Sequence, residues 1–260
     1  MFKLSLLQSA SSWMVAFIIF ILIIIFYLTG HYYRLRKIAR YPEHSKYELG
    51  TINGILLGLL GLLLAFTFGM SNSRYDNRRD LVIEEANDIG TAILRADLYP
   101  DSTRQLLRNN FKEYVEARIA FYQAGMNMHD VINYYMKADS ISKVIWNIAI
   151  TDARINNIVV RSGQMIPALN AMIDITTTRR AAGESTIPDS IMYFLFVLCL
   201  CSAFLIGYDN KGKTDWVVVT GFAIILSITI FMIVDLDRPR SGLIDMDVPN
   251  QKIIELRSMF

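Results

Sequence analysis

Cysteine occurs only twice in the chain, at Cys199 and Cys201, and both fall inside an apolar run. Thiolates and metal ions are unfavourable in such surroundings, where a thiol behaves as a small hydrophobe, so the pair is read as structural. The water-facing part has no cysteine, so neither a disulfide framework nor the redox state of the compartment can be read. Charge of one sign is also scarce. Lys and Arg number 26 against 24 Asp and Glu, for a net charge of +2, which gives no reason to expect nucleic acid or an acidic polymer as partner. The spacings that activate a nucleophile, cradle a phosphate or hold a metal (GxSxG, HExxH, the P-loop, GxGxxG, CxxC) are missing. His31, His44 and His129 are scattered. The expectation is a protein that is not an enzyme and carries no metal or cofactor.

What is present is apolar. The composition is 53% hydrophobic and 19% charged, too apolar for an ordinary soluble domain and too charged for a chain lying wholly in lipid. Part of the chain must therefore face water. A bilayer core is crossed by about 20 apolar helical residues, each rising 1.5 Å with its backbone paired internally. Four segments qualify, at 13–33, 50–70, 191–208 and 216–234. The first could be mistaken for a signal peptide, but its basic cluster follows the apolar run and no small-x-small site appears after Leu28, so a retained span is expected. Trp13, Tyr27, Tyr32, Tyr33, Tyr193, Tyr208 and Trp216 lie where interfacial aromatics belong.

The fold class predicted is all-α: a polytopic membrane protein with four transmembrane helices in two pairs flanking a helical-bundle domain. The divisions are 1–70 for the first pair, 71–188 for the bundle, 189–235 for the second pair and 236–260 for a C-terminal tail. The expected location is the cell membrane and the first partner its lipid bilayer. Sidedness is contested by the charges. Arg34, Arg36, Lys37, Arg40 and Lys46 after the first span, against Lys3 before it, place that loop in the cytoplasm and the bundle outside. Arg74, Arg78, Arg79, Arg179, Arg180, Arg238 and Arg240 pull the other way.

The second span is the most informative. Gly50, Gly54 and Gly58 repeat every fourth residue, and Gly61, Ala65 and Gly69 repeat likewise. Lipid supplies no hydrophobic drive for helix association, and such small-residue stripes let backbones approach closely. They serve either packing within the chain or packing between subunits around an axis or pore. Thr51 and Asn53 add polar groups that face protein, a water-filled path or the solvated helix end.

Between Ser71 and Pro188 glycine and proline are sparse and strand-like alternation is missing, which points to long helices. Val82, Ala86, Ile89, Ile93 and Ala96 form one apolar stripe, Leu107, Phe111, Tyr114 and Phe121 a second, and Ile141, Ile145, Ile148, Ile155 and Val159 a third. Pro100 breaks the chain, with Asp101 or Ser102 as an N-cap. Gly163 and Pro167 mark a kink or restart. Asp152 falls on the third stripe and needs a partner, for which Arg118 is the candidate.

Two polar groupings remain: Glu84, Glu85, Asn87 and Asp88, and the run Asp235, Asp237, Arg238 and Arg240, followed by Asp245 and Asp247. They suit salt bridges and helix caps, or the handling of small ions through oxygen ligands. The glycine span leading through Ala65-Phe66 to Arg74-Tyr75 and Glu85-Ala86-Asn87, with the closing Leu236-Asp237-Arg238-Pro239-Arg240-Ser241-Gly242, resembles a family of membrane proteins known as bestrophin-like. The likeness covers nearly the whole chain in span order. It implies a ring-shaped homo-oligomer, four spans per subunit, an anion pore lined by the second span, and a helical domain in the cytoplasm. Bestrophins line their pore neck with aromatic and aliphatic side chains, whereas Phe66 and Phe68 are the only aromatics in this span. The function expected is a bestrophin-like channel with the second span bordering the ion path. The alternative is a non-conducting sensor or scaffold whose bundle binds a ligand or partner.

Overall fold

A computed structural model describes residues 10–42, 49–238, 240, 243–244 and 247–260. Lys3, His44, Lys46, Pro239, Ser241, Gly242 and Asp245 lie outside the described residues, as does the side chain of Asp247. The described residues form helices α1 (Ser12–Arg40), α2 (Gly50–Arg95), α3 (Asp101–Gln123), α4 (Met128–Asn156), α5 (Val159–Glu184), α6 (Asp189–Asp209), α7 (Trp216–Leu236) and α8 (Asp247–Glu255). Short 3-10 turns at Ala96–Leu98 and Leu256–Met259 follow α2 and α8. Four stretches within α1, α2, α6 and α7 are long and apolar enough to cross a membrane. The protein is thus an all-α polytopic membrane protein.

The chain divides into two compact units, Met1–Arg74 with Thr186–Arg238, and Tyr75–Ser185 with Pro239–Phe260. The first holds α1, the first half of α2, α6 and α7. Ser11 opens α1 by accepting a bond from the Met14 amide, and Asp215 opens α7 by accepting from the amides of Val217 and Val218. Ile19, Ile23, Leu60, Leu195, Cys199, Ala223 and Ile230 make the core of this unit. Cys199 is buried there and Cys201 faces outward. α1 and α6 approach backbone to backbone. A Cβ on Gly30 would lie 2.0 Å from the Phe204 carbonyl oxygen, and one on Gly207 would lie 2.0 Å from that of Tyr27. Backbone cannot swing aside as a side-chain tip can, so both positions require glycine.

The second unit holds the rest of α2 with α3, α4, α5 and α8. The first predicted stripe is fully inside: Val82, Ala86, Ile89, Ile93 and Ala96 are all buried. Leu107, Phe111 and Tyr114 meet them from α3, Ile145 and Ala149 from α4, Met165, Leu169 and Met172 from α5, and Ile253 from α8. The 3-10 turn after α8 also reaches α3 through Arg257, whose guanidinium donates to both oxygens of Glu116 at 2.7 Å.

Several local expectations are corrected here. The third stripe stops at Ile148, which packs against the core: α4 ends at Asn156, Asn157 takes a left-handed φ of 48°, and Ile155 and Val159 are left exposed. That reversal, not Gly163 or Pro167, is the restart, and Pro167 lies inside α5. α3 begins after Pro100 without a side-chain cap; Asp101 is in its first turn and pairs with Arg104. Proline presets the backbone angle there. Asp152 does not meet Arg118. It accepts a bond from Asn156 at 2.6 Å and lies 3.6 Å from Arg161.

Candidate functional site

The small residues of α2 are sorted by helical phase. Leu60, Leu64, Thr67 and Ser71 recur at three- and four-residue intervals and are buried in the membrane unit. Thr67 donates to the Leu63 carbonyl of its own helix and Ser71 to the Ile233 carbonyl of α7, at 2.9 Å, so both hydroxyls are satisfied without water. Gly50, Gly54, Gly58, Gly61 and Gly69 lie off this face. A Cβ on any of them would meet nothing within 4 Å among the described residues. Ala65 and Phe66 are exposed as well. Where the helix continues, Ala65, Phe66, Gly69, Met70, Ser73 and Arg74 line a shallow open groove of about 470 Å³.

Asn53 has a different role from its glycine neighbours. Its amide donates to Asp209 Oδ2 at 3.1 Å, while the Leu49 backbone N–H donates to Oδ1 of the same carboxylate at 2.8 Å. Asp209, the last residue of α6, therefore holds the beginning of α2, where a negative charge complements the helix dipole. Around the same end of α6, Asn210 donates to the Tyr27 hydroxyl at 2.7 Å, and His31 Nδ1 lies 3.1 Å from the Asn210 carbonyl.

In the helical unit the first polar grouping is divided by burial. Glu84 and Asn87 are exposed and Asp88 is half-buried, whereas Glu85 is completely enclosed. Glu85 Oε1 accepts from Arg118 Nε at 2.5 Å, and Oε2 accepts from the Tyr122 hydroxyl at 2.7 Å and from Arg179. Burial alone would raise its pKa. The guanidinium charges of Arg118 and Arg179, with the bonds from Arg118 and Tyr122, outweigh that and hold it at about 2. Asp88 moves the other way, raised by partial burial and then by the charges of Glu84 and Glu85. Arg240 donates to the carbonyls of Phe121 and Gly125.

Asp235, Asp237 and Arg238 lie in the membrane unit. Asp235 is buried, Asp237 accepts the Ile187 amide at 3.0 and 3.1 Å, and both carboxylates act on Arg238. Among the described residues no group of three or more His, Cys, Asp and Glu side chains is arranged to hold a metal ion.

Residue patterns missed two features. Gly30 and Gly207 are single glycines in apolar runs, and an isolated glycine inside a helix was the available signal of close backbone approach. Arg118 and Tyr122, one helical turn apart on α3, were the available signal for a buried carboxylate nearby, and Arg179 carried none.

A family model for the bestrophin-like domain matches residues 14–246. Among solved structures, the chain is similar to a tryptophan-to-alanine variant of a bacterial bestrophin homologue from Klebsiella pneumoniae. The TM-score is 0.69 at 11% identity, covering 96% of this chain and 99% of that one. A structure of a bacterial bestrophin homologue from the same organism, solved by Zn-SAD phasing, gives a TM-score of 0.66 at 12% identity, covering 93% and 98%. At these identities the likeness is one of fold. No curated protein matches the chain.

Proposed function

The chain belongs to the bestrophin-like family, and from that membership we propose that it is a homo-oligomeric anion channel of the cell membrane, with the glycine face of α2 bordering the ion path. The observation that carries this reading is the open glycine face itself. Among the described residues a Cβ on any of its glycines would meet nothing within 4 Å, while the contact that uses glycine within the membrane unit, between α1 and α6, lies elsewhere. A face stripped of side chains in a spanning helix brings either another backbone or a passage against it. The groove ending at Ser73 and Arg74 adds a polar exit to an otherwise apolar surface. The mainly apolar lining also suits a gate that works by dewetting, with Phe66 as the large side chain on it.

The test is electrical and structural together. Purified protein in planar bilayers is expected to show unitary anion currents, and its mass in detergent to be a multiple of the chain. Gly58→Leu and Phe66→Ala are expected to change conductance in opposite senses, the first narrowing the path and the second widening it. A monodisperse, folded oligomer that stays electrically silent across voltages and anions would refute conduction.

A further inference from the structure

Arginine keeps its charge at any physiological pH, so arginines gathered in a half-buried place need opposite charge nearby. Three from separate parts of the helical unit converge on the adjacent rings of Phe121 and Tyr122. Arg118 comes from α3, Arg179 from α5 and Arg240 from the segment after α7. The Arg118 guanidinium lies 4.8 Å from the centre of Phe121 and 5.4 Å from that of Tyr122. Arg240 lies 4.5 Å from the centre of Phe121 and Arg179 4.3 Å from that of Tyr122. Among the described residues the one carboxylate in an ion pair with any of these three cations is Glu85, engaged by Arg118 and Arg179.

The surplus is concentrated at Arg240. Among the described residues no carboxylate lies within ion-pair distance of it, and its bonds are two 3.3 Å contacts from Nη1 to the carbonyls of Phe121 and Gly125. The groups acting on its charge are Tyr122, Arg179 and Arg118. Burial, the largest influence, and the two like charges disfavour its ionised form, with Tyr122 opposing them. Tyr122 contributes no negative charge at neutral pH. Burial first, then Glu85 and against the pull of Arg118 and Arg179, keeps its hydroxyl protonated. Cation–π contact with two rings offsets part of the repulsion between guanidiniums, by about 0.5–2 kcal/mol per pair, and leaves the net charge as it was.

Arg179 and Arg240 each use only Nη1 toward protein acceptors among the described residues, and their Nε and Nη2 groups are not among the enclosed atoms. Each therefore keeps Nε and Nη2, a planar pair of donors, without a protein acceptor among the described residues, and such a pair can bind a tetrahedral oxyanion in bidentate fashion. A halide, with no directional lone-pair fork, would use this geometry poorly. We propose that Arg179 and Arg240, backed by Arg118, form an oxyanion site in the helical unit that takes a phosphate group, either as free phosphate or as the monoester headgroup of an anionic lipid. The site is independent of whether the protein conducts.

The test uses the full-length protein in detergent, titrated with inorganic phosphate against sodium chloride at matched ionic strength and followed by thermal denaturation. In parallel it is reconstituted in phosphatidylcholine nanodiscs with and without phosphatidic acid. Saturable stabilisation by phosphate, weakened about tenfold in Arg240→Gln as expected for losing one charge-assisted partner, supports the site with free phosphate as ligand. Stabilisation by phosphatidic acid alone, lost in the same variant, supports it with the lipid headgroup as ligand. Arg240→Lys keeps the charge but not the fork and should also weaken binding, while Lys143→Gln, on the exposed surface of α4, should leave it intact. If Arg240→Gln does not fold, the Lys variant decides the matter. Equal responses to phosphate and chloride without any response to phosphatidic acid, or phosphate stabilisation unchanged in Arg240→Lys, would overturn the proposal.

Discussion

The two halves of α2 obey different rules. From Tyr75 onward its inner face carries Val82, Glu85, Ala86, Ile89, Ala92 and Ile93, all buried. Before Arg74 it buries Leu60, Leu64, Thr67 and Ser71, yet leaves Ile52, Ile55, Leu62 and Phe66 exposed beside bare glycines. In water, apolar surface is driven inward, and the stripe names the core. In lipid no such drive exists, and the residue that reports contact is the small one. One helix thus needs two keys to be read.

The sharpest way to break that contrast is to place a side chain where glycine is closed in. Gly207→Leu would force a Cβ to within 2.0 Å of the Tyr27 carbonyl, and the membrane unit is expected not to assemble, seen as loss of a monodisperse peak in detergent. Survival of this variant would mean that α1 and α6 can separate, and that glycine does not report contact in this unit.

Next in size is the polar anchor of the helical half. Glu85→Ala leaves Arg118 and Arg179 without their carboxylate and is expected to cost about 3–5 kcal/mol, measurable by chemical denaturation. The same group sets an acid limit. Its pKa rises from about 2 in the folded state to about 4.5 when unfolded, so its contribution is fully present above pH 4.5 and is lost as pH falls toward 2. A denaturation series over that window should be steeper for the native chain than for Glu85→Gln. Ile89→Ala, a cavity in the same core, should cost about 2–5 kcal/mol.

Asn53→Leu removes the amide bond to Asp209 while the Leu49 contact remains, and should lower stability by about 1 kcal/mol. Gly58→Leu should do least to the single chain, within about 0.5 kcal/mol, because the new side chain meets nothing in it. Its effect belongs to oligomer mass and current. If instead it lowers the stability of the isolated chain as much as Ile89→Ala, the two halves of α2 are alike after all.

These differences explain what could be read from residues alone. The four spans and the inner stripes of α2 and α3 were legible because length and period are imposed directly by lipid and water. The end of α4 was not: Ile155 continues the apolar period but is exposed on the last turn of the helix, just before the left-handed residue Asn157. The glycines of α2 announced close approach without naming a partner. Gly30 and Gly207, each alone in its helix stretch, named a partner only once α1 and α6 were side by side. Among the arginines, Arg118 was visible on its stripe but was matched to Asp152 instead of Glu85, because equal spacing along two stripes does not determine which rungs meet.

The core of the helical unit is stitched from two distant stretches, since Ile253 and Leu256 fill space among residues drawn from 82–172. During synthesis, the ribosome delivers α2 to α5 first, then two hydrophobic helices bound for the bilayer, and only afterwards the segment that plugs this interior. The nascent bundle must wait with an apolar gap at Gly90, where the Leu256 side chain comes to rest 3.4 Å from the Cβ position. The ribosome must therefore pass through α6 and α7 before this core can close, and a chain cut short of Leu256 would leave the gap beside Gly90 unfilled.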